Sequence, residues 1–532
     1  MNNNNSKRSV FLPLLLALST VFGILIGIYL PRQNDNRQHS VLRLKNDKIN
    51  NTLNIIESDY VDKVDRNDLV ETAIPAILKK LDPHSLYIPA KNLTRANESL
   101  LGNFEGIGIS FNMLTDTILV ISTIPGGPSE KLGLMAGDKI LYVNDSLVAG
   151  KGISDEKIVE MLKGPRGTVV KVKILRKGHK ELLSFDITRD KIPIYSVDVA
   201  YMINNNTGFI RINNFAETTF NEFMNGLREL KGQGMTKLII DLRGNSGGVM
   251  EAAIQIANQF LKKGQLIVYT KGRTQTRNDW IATGKGEFET GDLAILIDEW
   301  SASASEILAG AIQDNDRGTI IGRRSFGKGL VQEQFKFPDG SGMRLTVARY
   351  YTPTGRSIQR PYSKGFEEYY NDFNIRLDRH EYENSDSIHF ADSLKFTTPG
   401  GRTVYGGGGI MPDKFVPVDT SGISTYFLKV RPLIYQFALK YTENNRETLK
   451  KFTESGELEN YLNKQGLLDQ FIRYASENKI KTDPEGLKIS GDVIHVQLIA
   501  YIARNILDNK GFYPIWEQID TTLKYTIEYL KK

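Results

Sequence analysis

The chain has 532 residues and a formal net charge of +6, from 68 basic and 62 acidic side chains, and at about 150 residues per domain that length implies three or four domains. It has no cysteine, which excludes disulfides, thiolate metal sites, a cysteine nucleophile and a lipid-modified N-terminal cysteine. The charges are spread along the chain without a Lys/Arg run, which argues against nucleic acid as a partner.

Polar Met1–Ser6 and basic Lys7-Arg8 precede an apolar run of 21 residues, Val10–Leu30, long enough to span a bilayer as a helix. Tyr29-Leu-Pro-Arg32 is a poor cleavage site. Residues 1–35 are therefore expected to be a cytoplasmic tail and a retained membrane anchor. Arg32 and Arg37 weaken the charge asymmetry, but a short basic tail most simply stays inside. The expected location is the inner membrane, single-pass, with the bulk of the chain in the periplasm or another extracytoplasmic space.

Residues 36–97 read as a helical segment. Ile49, Leu53, Ile56 and Tyr60 recur at helical spacing, and a second pattern from Asp68 to Leu81 contains Pro75, where a kink is expected. It ends in Leu81-Asp-Pro-His-Ser-Leu-Tyr87. His84 invites a catalytic reading; a structural turn is the better account, because no acidic partner is implied nearby. From 98 to 190 short strands and tight turns take over. Phe104-Glu-Gly-Ile-Gly-Ile-Ser-Phe111 is a glycine turn entering a strand, Pro128–Leu134 and Ser154–Leu162 are helices, and Gly137-Asp-Lys-Ile-Leu141 leads to Val143-Asn144. This order resembles a PDZ domain. The resemblance implies that the Gly106-Ile107-Gly108-Ile109 turn holds a peptide's terminal carboxylate, while the peptide extends the sheet beside Ile109 and Phe111.

After Lys191 the periods alternate between strand and helix, which predicts an α/β layer. Leu238-Ile-Ile-Asp-Leu242 is a buried strand, followed by Arg243-Gly-Asn-Ser-Gly-Gly248 and a helix through Leu261. Leu293-Ala-Ile-Leu-Ile297 leads through Ser301-Ala-Ser-Ala-Ser-Glu306 into a helical Ile307–Ile312, and Phe326-Gly-Lys-Gly-Leu-Val-Gln332 follows a further strand. Residues 363–395 are irregular, Gly406–Gly409 is a fixed turn, and 421–532 are helical, with faces at Leu433, Phe437, Tyr441 and at Val493, Leu498, Ile502, Ile506. That last segment carries no recognisable chemistry; it is a cap or a dimer surface, so a homo-oligomer is one expectation.

Three loops are thus expected at one edge of the sheet: Asp241–Gly248, Ser301–Glu306 and Phe326–Gln332. A serine at a strand-to-helix turn is a candidate nucleophile needing a base. Ser301, Ser303 and Ser305 are equally suitable by chemistry. None of the six histidines lies in these loops, so Lys328 is the available base, provided burial and neighbouring cations lower its pKa. Gln332 is placed to orient its amine. Gly247, Gly248 and the Ala304 N–H are candidate oxyanion donors. The phosphate-loop order Gly-x4-Gly-Lys-Ser/Thr is absent.

Together Leu-Asp-Pro-His-Ser, the PDZ-like segment, Asp-Leu-Arg-x-Asn-x-Gly-Gly, Ser-Ala-Ser-Ala-Ser-Glu and Phe-Gly-Lys-Gly-x-Val-Gln resemble the C-terminal processing peptidases, or tail-specific proteases, over residues 40–420. The resemblance implies a crotonase/caseinolytic-protease-like α/β core over 191–420 with an inserted PDZ domain at 98–190. It implies a serine endopeptidase in which the nucleophile matches Ser303, the base Lys328, the supporting glutamine Gln332, and the oxyanion donors Ala304 and one of Gly247 and Gly248. Protein substrates with apolar C-termini are the implied partners, and no metal or cofactor is implied. Ser246 stands where proline is common, and residues 421–532 lie beyond the motifs. The rival readings are an inactive PDZ scaffold or holdase, which the intact Ser303, Lys328, Gln332 set opposes, and an acyl-CoA enzyme, which the PDZ-like segment and Lys328 oppose.

Overall fold

The computed structural model of the protein describes Ala17, Thr20, Val21 and residues 47–113 and 116–532. The expected anchor, Val10–Leu30, lies outside the described residues except at three positions. Among the described residues no helix is long and apolar enough to cross a membrane. The chain divides into two compact units, residues 1–72 and 73–532. In the first, the helix Lys48–Asp59 is capped by Asp47, whose carboxylate accepts the Asn50 N–H at 3.0 Å. The helix Arg66–Leu78, which spans the division at residue 72, holds Pro75 inside it; the proline removes one N–H donor from the helical ladder.

The larger unit is built on a six-stranded sheet in the order Val197–Met202, Thr207–Ile212, Lys237–Asp241, Asp292–Ile297, Thr319–Gly322, Lys414–Phe415. The first pair is antiparallel and every other pair parallel. Parallel strands must be covered on both faces, which is why they read as unbroken apolar runs. On one face Ile210, Ile212, Leu238, Ile240, Ile295 and Ile297 pack beneath the helices Thr219–Gly232, Met250–Ala257 and Ala304–Asp314. On the other, Phe209, Ile239, Leu296 and Ile321 pack against Leu523 and Leu530 of the C-terminal helix Thr521–Lys531. The helix expected to reach Leu261 stops at Ala257. Phe260 and Leu261 are nevertheless fully buried in the same core, so their apolar pattern reports burial after the helix has ended.

A second sheet joins Leu86–Ile88, Gly342–Tyr351, Leu266–Gly272 and Asn278–Ile281, with Leu330–Lys336 pairing along Gly342–Tyr351. The 98–190 segment has its own sheet, in the order Ile109–Met113, Ile118–Thr123, Lys139–Val143, Val169–Leu175, Leu183–Thr188. The helix Asp155–Leu162 buries Ile158 and Leu162 in its core, whereas the helix at Pro128 ends at Lys131, short of the expected Leu134. Both ends of this insertion are tied: Asn103–Gly106 pairs antiparallel with Asp190–Pro193. Among the described residues Ile109–Met113 has a strand partner on one side only.

Residues 421–532 form helices around one apolar core, Thr425–Leu449, Ser455–Leu462, Leu467–Glu477 and Pro484–Trp516, the last broken at Asp508 (φ 52°, ψ −146°), before the sheet-covering Thr521–Lys531. Leu433, Val493 and Ile506, expected on their inner faces, pack against that core only partly buried.

Candidate active site

Ser303 occupies the turn between the strand Asp292–Ile297 and the helix Ala304–Asp314, at φ 56° and ψ −111°. A serine gains nothing intrinsic from positive φ, and such strain, of order 1–3 kcal/mol, persists only where neighbours over-determine it. Here they do. The Ser303 N–H donates to Glu306 Oε2 at 2.8 Å. Its carbonyl accepts the Glu306 and Ile307 N–H groups at 2.9 and 3.0 Å, and also the Tyr350 hydroxyl at 3.2 Å. The flanking serines are spent on the neighbouring loop: Ser301 Oγ donates to Leu242 O at 2.8 Å and Ser305 Oγ to Asn245 O at 2.9 Å.

Glu306 joins the serine turn to the lysine loop. It is 1% exposed and faces four donors. Oε2 accepts Ser303 N–H and Lys328 N–H at 2.8 and 2.9 Å; Oε1 accepts Ser325 Oγ–H and Gly327 N–H at 2.5 and 2.7 Å. Burial pushes its pKa up, and these four bonds oppose that shift by favouring the carboxylate. Sequence reasoning assigned Glu306 no role, although Ser-x-x-Glu at a helix start is a capping-box signal that could have found it.

Lys328 Nζ donates to Gln332 Oε1 at 3.0 Å, and Gln332 Nε2 donates to the carbonyl of His84. The lysine pKa is lowered, first by burial and then by the Arg344 guanidinium; Asp82 and Glu306 act in the opposite sense. The neutral amine needed for a base is thereby favoured. Arg344, also missed in the sequence, is held by the Ala96 carbonyl and Asn97 Oδ1 at 2.9 and 2.8 Å. His84 sits in a turn, as expected, but acidic Asp82 is close: its Oδ1 accepts the His84 N–H at 2.8 Å. The imidazole meets the Tyr369 hydroxyl at 2.8 Å. Burial first, and Lys328 second, lower its pKa to about 3, so the ring is neutral at ordinary pH.

Ser303, Lys328, Gln332, Gly247, Gly248, Arg344 and Tyr350 line one cavity of about 470 Å³. The glycine loop approaches closely. A side chain on Gly247 (φ +99°) would put its Cβ 2.7 Å from Ser303 Cβ, and one on Gly248 (φ +142°) 1.9 Å from the Phe215 carbonyl oxygen. The two glycines differ as donors. Gly247 N–H is taken by Asn245 Oδ1 at 2.8 Å, whereas Gly248 N–H and Ala304 N–H have no acceptor among the described residues. The sequence left that choice open.

The family model for peptidase family S41 matches residues 206–367, and one for PDZ domains matches residues 106–187. The carboxy-terminal processing protease CtpB of Bacillus subtilis is 34% identical over 352 residues, which cover 66% of this chain and 71% of that protein. The chain belongs to the carboxy-terminal processing proteases of family S41. It is a serine peptidase with a PDZ domain. The carboxy-terminal-processing protease of Bartonella bacilliformis is 38% identical over 314 residues, 57% of this protease and 70% of that one. Among solved structures, the photosystem II D1 C-terminal processing protease is 29% identical over 58% of this chain and 88% of that one, at a TM-score of 0.33. Residues 29–92 match a model for the activating protease CtpB N-terminal domain, and residues 426–508 match a family of unknown function.

The PDZ positions of the protease stand apart from the 470 Å³ cavity. Gly106 is committed to the paired ribbon, opposite Asp190. The turn itself is Ile107-Gly108, with Gly108 at φ +74°. The Ile107 carbonyl is taken by Ser129, through its N–H at 3.1 Å and its hydroxyl at 2.6 Å. The Ile107 and Gly108 N–H groups have no acceptor among the described residues. Ile109 and Phe111 of the edge strand pack against the apolar PDZ core.

Proposed function

We propose that the protease cleaves protein substrates through Ser303 as nucleophile and Lys328 as general base. The reading rests above all on one arrangement: a strained serine and a partly buried amine line the same cavity, and the single carboxylate of Glu306 ties their backbones together. Neutral Lys328 Nζ takes the Ser303 hydroxyl proton as Oγ bonds to the substrate carbonyl carbon. The carbonyl oxygen becomes an oxyanion, received by the free N–H groups of Gly248 and Ala304. The peptide C–N bond breaks, the leaving amine takes the proton from Lys328, and an ester on Ser303 remains. Water, deprotonated by Lys328, cleaves that ester and restores both groups. Gln332 holds the amine in place by its Oε1 contact.

The PDZ domain captures the substrate's C-terminus. Its free Ile107 and Gly108 N–H groups suit a carboxylate, the open edge of Ile109–Met113 suits an added strand, and the apolar floor beside Ile109 and Phe111 suits an apolar terminal side chain. Residues 10–30 anchor the protease in the inner membrane with its active site outside the cytoplasm; the apolar run behind Lys7-Arg8 supports this. The test is cleavage, by the full-length chain in detergent, of an unfolded protein bearing an apolar tail. Ser303→Ala and Lys328→Ala are expected to abolish turnover. Either variant cleaving at the parent's rate would defeat the assignment.

A further inference from the structure

The helical segment beyond the protease core reaches into the loop that carries the oxyanion donor. Asp520 caps the sheet-covering helix Thr521–Lys531, accepting the Leu523 N–H at 3.0 Å. It also clasps Arg243 in a two-pronged ion pair, Nη1 to Oδ1 at 2.9 Å and Nη2 to Oδ2 at 2.6 Å. The adjacent edge of the same guanidinium, which shares Nη2, binds Asp241, with Nε to Oδ1 at 2.9 Å and Nη2 to Oδ2 at 2.8 Å. Arg211 completes the cluster, donating to Asp241 and to the Arg243 carbonyl. Two arginines thus share Asp241, and the second carboxylate comes from the helical segment. Arg243 opens the loop that runs through Gly244, held by Asp298 at 2.9 Å, and Asn245, held by Ile212 at 2.8 Å, to Gly248.

We infer that Asp520 is a positioning residue for catalysis: it fixes Arg243, and through it the Arg243–Gly248 loop, so that the Gly248 N–H stays aimed at the developing oxyanion. The segment matched by a family of unknown function then belongs to a helical unit that serves the active site as well as covering the sheet. A planar guanidinium held by two carboxylates has less play than one held by a single carboxylate, and Arg243 passes that play to the loop because its own N–H is bound to Asp241 Oδ1 at 2.9 Å. A donor misplaced by a fraction of an ångström loses much of its effect on the transition state but little of its effect on substrate binding.

This rests on the proposed oxyanion role of Gly248, and the experiment separates the two. Steady-state cleavage is measured with the full-length protease, its Ser303→Ala form, Asp520→Asn, Asp520→Glu, Arg243→Gln and the Asp520→Asn/Arg243→Gln pair. Glu517→Gln removes the charge from a different carboxylate of the same interface, one that accepts the Tyr201 hydroxyl at 2.8 Å. Asp520→Asn is expected to lower kcat about tenfold or more at unchanged KM, and to weaken inhibition by a peptide aldehyde in proportion. Asp520→Glu, which keeps the charge that pairs with Arg243, restores part of kcat; the double variant is no worse than Arg243→Gln alone; Glu517→Gln keeps the parent kcat. Asp520→Asn within twofold of the parent, or Glu517→Gln losing kcat equally, overturns the inference. Should Asp520→Asn fail to fold, Arg243→Gln decides, and a kcat within twofold of the parent overturns the inference. If Ser303→Ala cleaves like the parent, the catalytic reading itself falls; if Ser303→Ala is dead and Asp520→Asn is not, only the role of Asp520 falls.

Discussion

Replacing Glu306 by glutamine keeps the shape of the side chain and removes one acceptor oxygen. Four donors converge on the carboxylate, two per oxygen, so an amide can satisfy only one pair and presents its own NH2 to the other. If the amide nitrogen replaces Oε2, the Ser303 and Lys328 N–H groups lose their acceptor. In the opposite orientation Gly327 N–H loses its partner, and Ser325 Oγ must turn elsewhere. A buried donor left unpaired costs about 1–3 kcal/mol, so the loss is roughly 2–6 kcal/mol, reduced because a buried charge has also been removed. A net destabilisation of about 2 kcal/mol is expected. Since both the serine turn and the lysine loop shift, kcat should fall by about a hundredfold. The measurements are urea denaturation and kcat at saturating substrate. A Glu306→Gln enzyme with parental stability and kcat within twofold would show that this carboxylate ties nothing together.

Three further outcomes follow from the same geometry. Arg344 lowers the Lys328 pKa, so Arg344→Gln should let it rise and move the acidic limb of the kcat/KM–pH profile toward higher pH; a limb that stays in place would contradict the electrostatic role. His84 titrates at about 3 in the fold against 6.5 as its ordinary value. The unfolded chain therefore binds the extra proton, so stability is full above about 6.5 and falls as pH drops toward 3; in His84→Phe that part of the pH dependence of urea unfolding should vanish. Ser301→Ala, which removes the bond to Leu242 and the acceptor for Asp298 N–H, should cost about 1–3 kcal/mol while activity survives. Loss of turnover equal to that of Ser303→Ala would reopen the choice of nucleophile.

How much of this was legible in the sequence depended on distance along the chain. Apolar runs such as Leu293–Ile297 announce buried strands because the pattern is local, and the three loops that follow or open strands do gather around one cavity. Burial without helix misleads the same reading: Phe260 and Leu261 are core residues beyond a helix that ends at Ala257. The partners of single side chains were not legible. Gln332 meets the carbonyl of His84, and Arg243 meets Asp520, across hundreds of residues, where no spacing rule applies. The choice between Gly247 and Gly248 needed the fate of individual N–H groups. So did the standing of His84, whose backbone rather than its ring faces Gln332.

The sheet's second face has a bearing on when the protease can come to life. Strands from Val197 to Phe415 leave the ribosome well before the helix Thr521–Lys531 that covers them. At about 5–20 residues per second, the hundred or so intervening residues delay that cover by roughly 5–20 s. During this interval Phe209, Ile239, Leu296 and Ile321 have no helix to pack against. A nascent chain could pair its strands but not complete its core. The protease would thus pass through an incompletely folded stage before its sheet is closed, and a stalled or truncated copy would be left without the layer that holds the sheet together.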